Sequence, residues 1–349
     1  MTAPWTRLHD GWQRFWFAPR STAPVEVLRI AFGAVATAWM LSLAPIMVPF
    51  FGRDGAVPPP DLPALGWTLM TLIQGTPLVW VLWLVGVLGA GALTVGYRSR
   101  LAALLVFVVM VSVNRQAPLA FNAGDGLLRV ISFCVLLMPV GSAASLDRWR
   151  SDPEGLWAFP RRAPWALRLA QIQLSVIYLA TVWEKADGVL WRDGSAVSFA
   201  LRIGDLTRLP APTFVTDSLV LSELATYGTL AAEAAIGVLV WNRAARPWVL
   251  ALGVLLHLSI EVTLAVGFFS LGMITLYLAF LPPHRAEQVL RAARDRAGLF
   301  RDRRRQRGQK AAGPPETGVA DVGGTDVDAE PVPTPRPVRE IGVEAGGER

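Results

Sequence analysis

At 349 residues, 53% hydrophobic and 17% charged, with a mean hydropathy of +0.41, the chain lies well below the roughly 25% charged residues of water-soluble domains. Its apolar runs match the ~17–25 residues that cross ~30 Å of hydrocarbon, which excludes a soluble globule, a secreted disulfide scaffold and a disordered chain. The formal net charge of +6 is unevenly placed, and the single cysteine, Cys134, admits no intrachain disulfide.

In residues 1–24, Trp5, Leu8, Trp12, Phe15 and Trp16 fall at helical spacing, with Arg7, Asp10, Gln13 and Arg14 between them. This pattern predicts an amphipathic helix lying in the membrane interface, Trp face down. A cleavable signal peptide is not expected, because the following apolar run is long and lacks a small-x-small exit. Residues 25–283 predict an all-α polytopic transmembrane bundle with spans near 25–47, 77–97, 100–120, 124–141, 165–186, 220–241, 246–266 and 268–283. Gly267 separates the last two. Gly86, Gly89 and Gly91 lie within the second span and read as a small-residue face for close helix packing, not a dinucleotide loop. Tryptophans such as Trp149, Trp157, Trp165, Trp183, Trp191, Trp241 and Trp248 cluster near span ends, as an aromatic belt would. Residues 284–310 form a basic juxtamembrane strip suited to anionic lipid. The acidic, Gly- and Pro-rich tail 311–349 is expected to be disordered. Nothing here reads nucleic acid.

Arginines alternate with the loops. One set carries Arg7, Arg14 and Arg20, then Arg98 and Arg100, then Arg148, Arg150, Arg161 and Arg162, then Arg243 and Arg246. The other carries Arg53, and Arg192, Arg202 and Arg208 against Asp187, Asp193, Asp205, Asp217 and Glu223. The positive-inside rule therefore predicts a cell-membrane protein with both termini in the cytoplasm.

A charged group inside a span costs ~2.5–3.5 kcal/mol on insertion scales, so each asks for a reason. The candidates are Arg29, Arg115, Arg129, Lys185, Glu233, His257 and Glu261, with Asn114, Gln116, Gln171 and Gln173 as uncharged companions. With this topology most of them converge on an outward-opening cavity, with His257 and Glu233 near mid-depth. Only Lys185 and Lys310 are lysines among 33 basic residues. An ammonium gives up its proton when desolvated, whereas a guanidinium does not. Lys185 therefore reads either as a base or as a snorkelling charge paired with Glu184 or Asp187. His257 and Glu261 share one helix face, as a hydrogen-bonded pair, as a proton relay or as half of a metal site. Two ligands do not close such a site, so no metal is expected. Glu233 needs a partner, for which Arg115 and Arg129 are candidates. The chain carries no Walker loop, G-x-S-x-G, HExxH or CxxC.

The stretch Arg168-x-x-Gln171, then Tyr178, Lys185 and Trp191-x-x-Gly194, resembles the signature segment of the HTTM (horizontally transferred transmembrane) family, related to the vitamin K-dependent gamma-glutamyl carboxylases. Asn122-x-x-Asp125 with Leu127-Leu128-Arg129, Ser145-Leu146-Asp147, and Phe269-Ser270-Leu271-Gly272-Met273 fit the same pattern in order, and Glu233 falls where the family has an acid. The resemblance implies a lysine that activates a reduced quinone toward oxygen, generating a strong base. Two departures tell against peptide gamma-carboxylation. Ser142 stands where the carboxylase has a histidine, and no large lumenal domain follows the bundle.

The leading expectation is carboxylase-like, quinol-dependent redox or proton-abstraction chemistry around Lys185. Glu233, His257 and Glu261 would handle protons, and Arg115 or Arg129 would clamp an anion. Gln171, Tyr178 and Trp191 of the signature segment would line the substrate site. The alternatives are a non-enzymatic accessory protein for export or maturation of a secreted peptide, with a peptide or membrane partner, and a small-solute transporter.

Overall fold

The computed structural model describes residues 4–52, 55–56, 69, 75–116 and 122–296. Arg53, the end of the third expected span, the distal basic strip and the acidic tail lie outside the described residues.

Helix α1 (Pro4–Trp16) leads into strand β1 (Arg20–Ser21). Helix α2 (Ala23–Ser42) begins with Pro24 in its first turn, where a missing N–H costs nothing. Then come α3 (Ala44–Phe51), α4 (Thr76–Val95), α5 (Ser99–Gln116) and α6 (Ala123–Leu137). After α7 (Leu146–Ser151), strand β2 (Arg161–Arg162) pairs antiparallel with β1. Helix α8 (Trp165–Asp187) is followed by the short helices α9 (Val189–Arg192), α10 (Ala196–Arg202) and α11 (Thr213–Asp217). The bundle closes with α12 (Leu219–Leu239), α13 (Arg246–Thr263) and α14 (Phe269–Tyr277), and a last helix, α15, runs over residues 283–296.

Among the described residues six helices, α2, α4, α5, α8, α12 and α13, are long and apolar enough to cross a membrane. The two remaining expected spans correspond to α6, with 15 residues, and α14, with nine. At ~1.5 Å of rise per residue, neither alone covers ~30 Å. These two pack on each other: a Cβ on Gly272 would sit 2.9 Å from Leu127 Cδ2, and one on Gly124 would sit 2.7 Å from the Phe269 nitrogen. Gly86 lies against Met40 and Val109 and Gly89 against Leu105, as a packing face requires, whereas Gly91 faces nothing within 4 Å.

One end of the bundle is tied by a buried ion pair. Glu26 and Arg29, both in α2 and both 0% exposed, are joined at 2.6 Å. Arg29 also donates to the carbonyls of Leu93, Thr94 and Ala144, at 2.7, 2.8 and 2.8 Å. Glu26 Oε1 accepts from the Ser142 nitrogen at 2.8 Å and its hydroxyl at 3.0 Å. A buried charge pair is tolerable when its remaining donors and acceptors are filled, as they are here. Beside it, Asp147 Oδ2 accepts from the nitrogen and hydroxyl of Ser99, both at 2.8 Å. The Ser-x-Asp element thus holds the α4–α5 turn. At the opposite end, Asn122 and Asp125 form a capping box on α6, and Asp125 also accepts from Trp39 Nε1 at 2.6 Å.

In the helical N-terminus Trp5, Leu8 and Trp12 are exposed along one face. Phe15 departs from that face. It turns onto the bundle against Trp241 and lies under the Arg168 guanidinium, 4.5 Å from its ring centroid.

Candidate proton-handling site

Tyr178 and Lys185 are seven residues apart in α8, two helical turns, so they share a face. That face meets α12, where Gly237 lets the helices approach: a Cβ there would lie 3.3 Å from Tyr178 Cβ. Lys185 Nζ reaches Glu233 Oε1 of α12 at 2.5 Å, with the lysine side chain 25% exposed and the carboxylate 9%. Neither Glu184 nor Asp187, both exposed, takes the ammonium, so the expected local pairing is replaced by one across helices. The ammonium also sits 4.8 Å from the ring centroid of Trp191, which the turn at Gly188 carries back over the end of α8.

Glu233 Oε2 has no hydrogen-bond partner among the described residues. Neither Arg115, which is exposed, nor Arg129, which is half-buried, supplies the partner that the sequence suggested, because the lysine fills that role. A clamp by Arg115 or Arg129 has no contact to support it among the described residues.

His257 enters from α13. Its Nε2 meets the Tyr178 hydroxyl at 2.9 Å, and that hydroxyl shares a second hydrogen bond with the hydroxyl of Tyr277 in α14. The edge of Phe269 packs against the imidazole at 5.5 Å between centroids. His257 Nδ1 is buried and without a partner among the described residues. Glu233 interacts electrostatically with both phenols, and Lys185 with His257. The pair and the tyrosine–histidine chain are two polar groups along one face of α8, with no hydrogen bond between them among the described residues.

The expected hydrogen bond between His257 and Glu261 is absent. Glu261 Oε1 pairs instead with Arg208 Nη1 at 2.9 Å, because the segment after α10 docks on the end of α13: the Arg208 nitrogen donates to the Thr263 carbonyl at 2.8 Å. Gln171 also stands apart, two turns from Tyr178 toward the β1–β2 end. It donates to the Ala279 carbonyl at 2.6 Å and accepts from Arg168 at 2.7 Å. Ser142 belongs to the Glu26–Arg29 knot.

Tyr277 and Gly253 were not singled out from the sequence. A Cβ on Gly253 would fall 2.8 Å from Tyr277 Cζ, so the glycine makes room for that ring. The signal available was the i,i+4 spacing of Gly253 and His257, which sets a small residue one turn below the imidazole.

Chemically the site offers an amine in contact with a carboxylate, a second carboxylate oxygen free to accept, and a two-tyrosine, one-histidine chain able to pass a proton. The model of the HTTM domain family matches residues 17–284, most of the chain. No curated protein and no solved structure matches the chain.

Proposed function

The chain belongs to the HTTM domain family and is an integral membrane protein; from that premise we propose that Lys185 and Glu233 abstract a proton from a bound hydroxyl-bearing substrate, in quinol-dependent chemistry of the kind the family resemblance implies. The observation that carries the proposal is the 2.5 Å Lys185–Glu233 contact with Glu233 Oε2 left unpartnered. Buried polar groups are almost always satisfied, so an orphan beside a charged pair marks a place where a ligand atom belongs.

Acting as a base requires Lys185 in its amine form, and Glu233 Oε1 is the acceptor in contact with its ammonium. The amine then takes the substrate proton. Tyr178, Tyr277 and His257 form a hydrogen-bonded chain on the same α8 face, and a ligand or water at Glu233 Oε2 would be needed to join it to the carboxylate. The orphaned Glu233 oxygen would suit the hydroxyl of a reduced quinone, with the Trp191 ring beside the lysine. Such a quinol would supply the acidic hydroxyl and two electrons, with molecular oxygen as the electron acceptor. Glu261 Oε1, tied to Arg208, braces α13, and its Oε2 is a second buried oxygen without a partner among the described residues.

The arginine-bearing turns, at the Glu26–Arg29 end, are assigned to the cytoplasmic side of the cell membrane, with Lys185 toward the outer side. A reporter that is active only outside the cytoplasm, inserted after Asp205, is expected to be active; the same reporter after Arg296 is expected to be silent.

The test of function uses labelling. In a Lys310→Arg background Lys185 is the one side-chain amine. Protein in nanodiscs is treated with an amine-reactive reagent, with and without a short-chain naphthoquinol. Protection of Lys185 by the quinol, and quinol oxidation lost in Lys185→Arg, support the reading. Equal labelling in both conditions, with function in vivo retained by Lys185→Arg, would make the pair a structural lock and the protein an accessory one.

A further inference from the structure

We propose that a second site, an arginine-lined cavity at the end of the bundle away from Lys185, binds the phosphate of an anionic lipid headgroup. The cavity, about 340 Å³, lies between α1, β1, the start of α8 and the α12–α13 turn. Arg14, Arg20, Arg168, Arg243 and Arg246 line it, and no Asp or Glu does. Its volume falls in the roughly 300–1,000 Å³ range of ligand sites.

The five guanidinium groups are not neutralised by the protein. Among the described residues none of them pairs with a carboxylate. Arg168 and Arg246 are held in place by neutral groups. The first donates to Gln171 Oε1 at 2.7 Å and to the Phe15 carbonyl at 3.3 Å; the second donates to the Val240 carbonyl at 2.8 Å. The side chains of Arg20 and Arg243 have no hydrogen bond to a described residue, yet both repel Arg168 and Arg246 electrostatically. Gathering like charges around one hollow is unfavourable unless an anion fills it. Planar guanidinium forks match phosphate oxygens bidentately, so phosphate is the anion that this set recognises.

The surroundings point to a lipid as its source. Helix α1, which supplies Arg14 and Phe15 to the wall, exposes Trp5, Leu8 and Trp12, the apolar face of a helix lying on a bilayer. Trp165 and Trp248, exposed in the first turns of α8 and α13, flank the cavity as interfacial anchors do. A headgroup entering here would keep its acyl chains along the bundle, with Trp241 and Phe280 among the apolar lining beside its phosphate.

The experiment is native mass spectrometry of the full chain released from nanodiscs of phosphatidylglycerol or of phosphatidylcholine. The wild type is expected to keep one phosphatidylglycerol, and phosphatidylcholine at least tenfold less. Arg20→Gln/Arg243→Gln is expected to lose that retention about tenfold, while Arg291→Gln/Arg294→Gln on α15, outside the cavity, keeps it. The double variant removes no hydrogen bond to a described residue, so its thermal midpoint without lipid should match or exceed the wild type. Retention unchanged in Arg20→Gln/Arg243→Gln, or equal retention of the two lipids, would overturn the site. Displacement of the lipid by millimolar inorganic phosphate would overturn its assignment to a headgroup.

Discussion

Lys185 and Glu233 stand 48 residues apart in the chain and 2.5 Å apart in space, an ammonium and a carboxylate joined across the α8–α12 seam. Removing one partner leaves the other charge uncompensated. Lys185→Met is expected to destabilise by about 1–3 kcal/mol, below the roughly 3–5 kcal/mol of a fully buried pair because a quarter of the lysine is exposed. Lys185→Met/Glu233→Met is expected to recover most of that loss without recovering activity. Thermal midpoints in detergent check this; a double variant no more stable than the singles would refute it.

The Glu26–Arg29 knot makes a separate prediction. Arg29→Met strands a carboxylate at zero exposure, with an expected cost of ~3–5 kcal/mol. Arg29→Lys should also destabilise, because one ammonium cannot reach the Leu93, Thr94 and Ala144 carbonyls together with Glu26. Molecules that still fold should keep wild-type labelling of Lys185, since the knot lies at the other end of the bundle.

Gly253→Ala is expected to push the Tyr277 ring away and cost about 1–3 kcal/mol through overpacking. Gly91→Ala, with nothing within 4 Å of its new methyl group, should be neutral or stabilising by up to ~1 kcal/mol. Comparing the two midpoints separates packing from helix propensity. Equal shifts would contradict the close approach at Tyr277.

Tyr97 lies in the α4–α5 turn with the Arg150 guanidinium 4.7 Å from its ring centroid. Hydrogen bonding to Arg150, helped by the charges of Arg98 and Arg150, holds its phenol below the ordinary tyrosine value. Absorbance titration should therefore lose its first-ionising phenol in Tyr97→Phe, and Arg150→Gln should move that ionisation upward. The sign follows from the depressed acid. Any stabilisation is complete only above the unfolded value near ~10, and is lost as pH falls through the folded value. It adds nothing at neutral pH.

The long helices could be read from their apolar runs, and Lys185 from its rarity beside so many arginines. Tyr178 and Trp191 entered beside it through the family resemblance, as parts of the same signature segment. What spacing could not supply was partner choice across helices. His257 and Glu261 sit one turn apart, yet Arg208, 53 residues before Glu261, reaches the carboxylate because the loop backbone bonds to Thr263. Tyr277 carries no such spacing signal, and its place beside Tyr178 follows from the room left at Gly253. Arg29 looked like an isolated charge, although its partner lies three residues earlier on the same helix.

The contact between α2 and α15 sets a schedule for biosynthesis. Ala23 and Val27 are covered by Ala286 and Leu290, and the Ser21 hydroxyl donates to Glu287 at 2.7 Å across 266 residues. At roughly 5–20 residues per second, the ribosome needs on the order of tens of seconds between making those two surfaces. During that interval the first long helix has already been threaded while its flank stays open. That is the window in which an insertase or quality-control protease would find this chain unfinished.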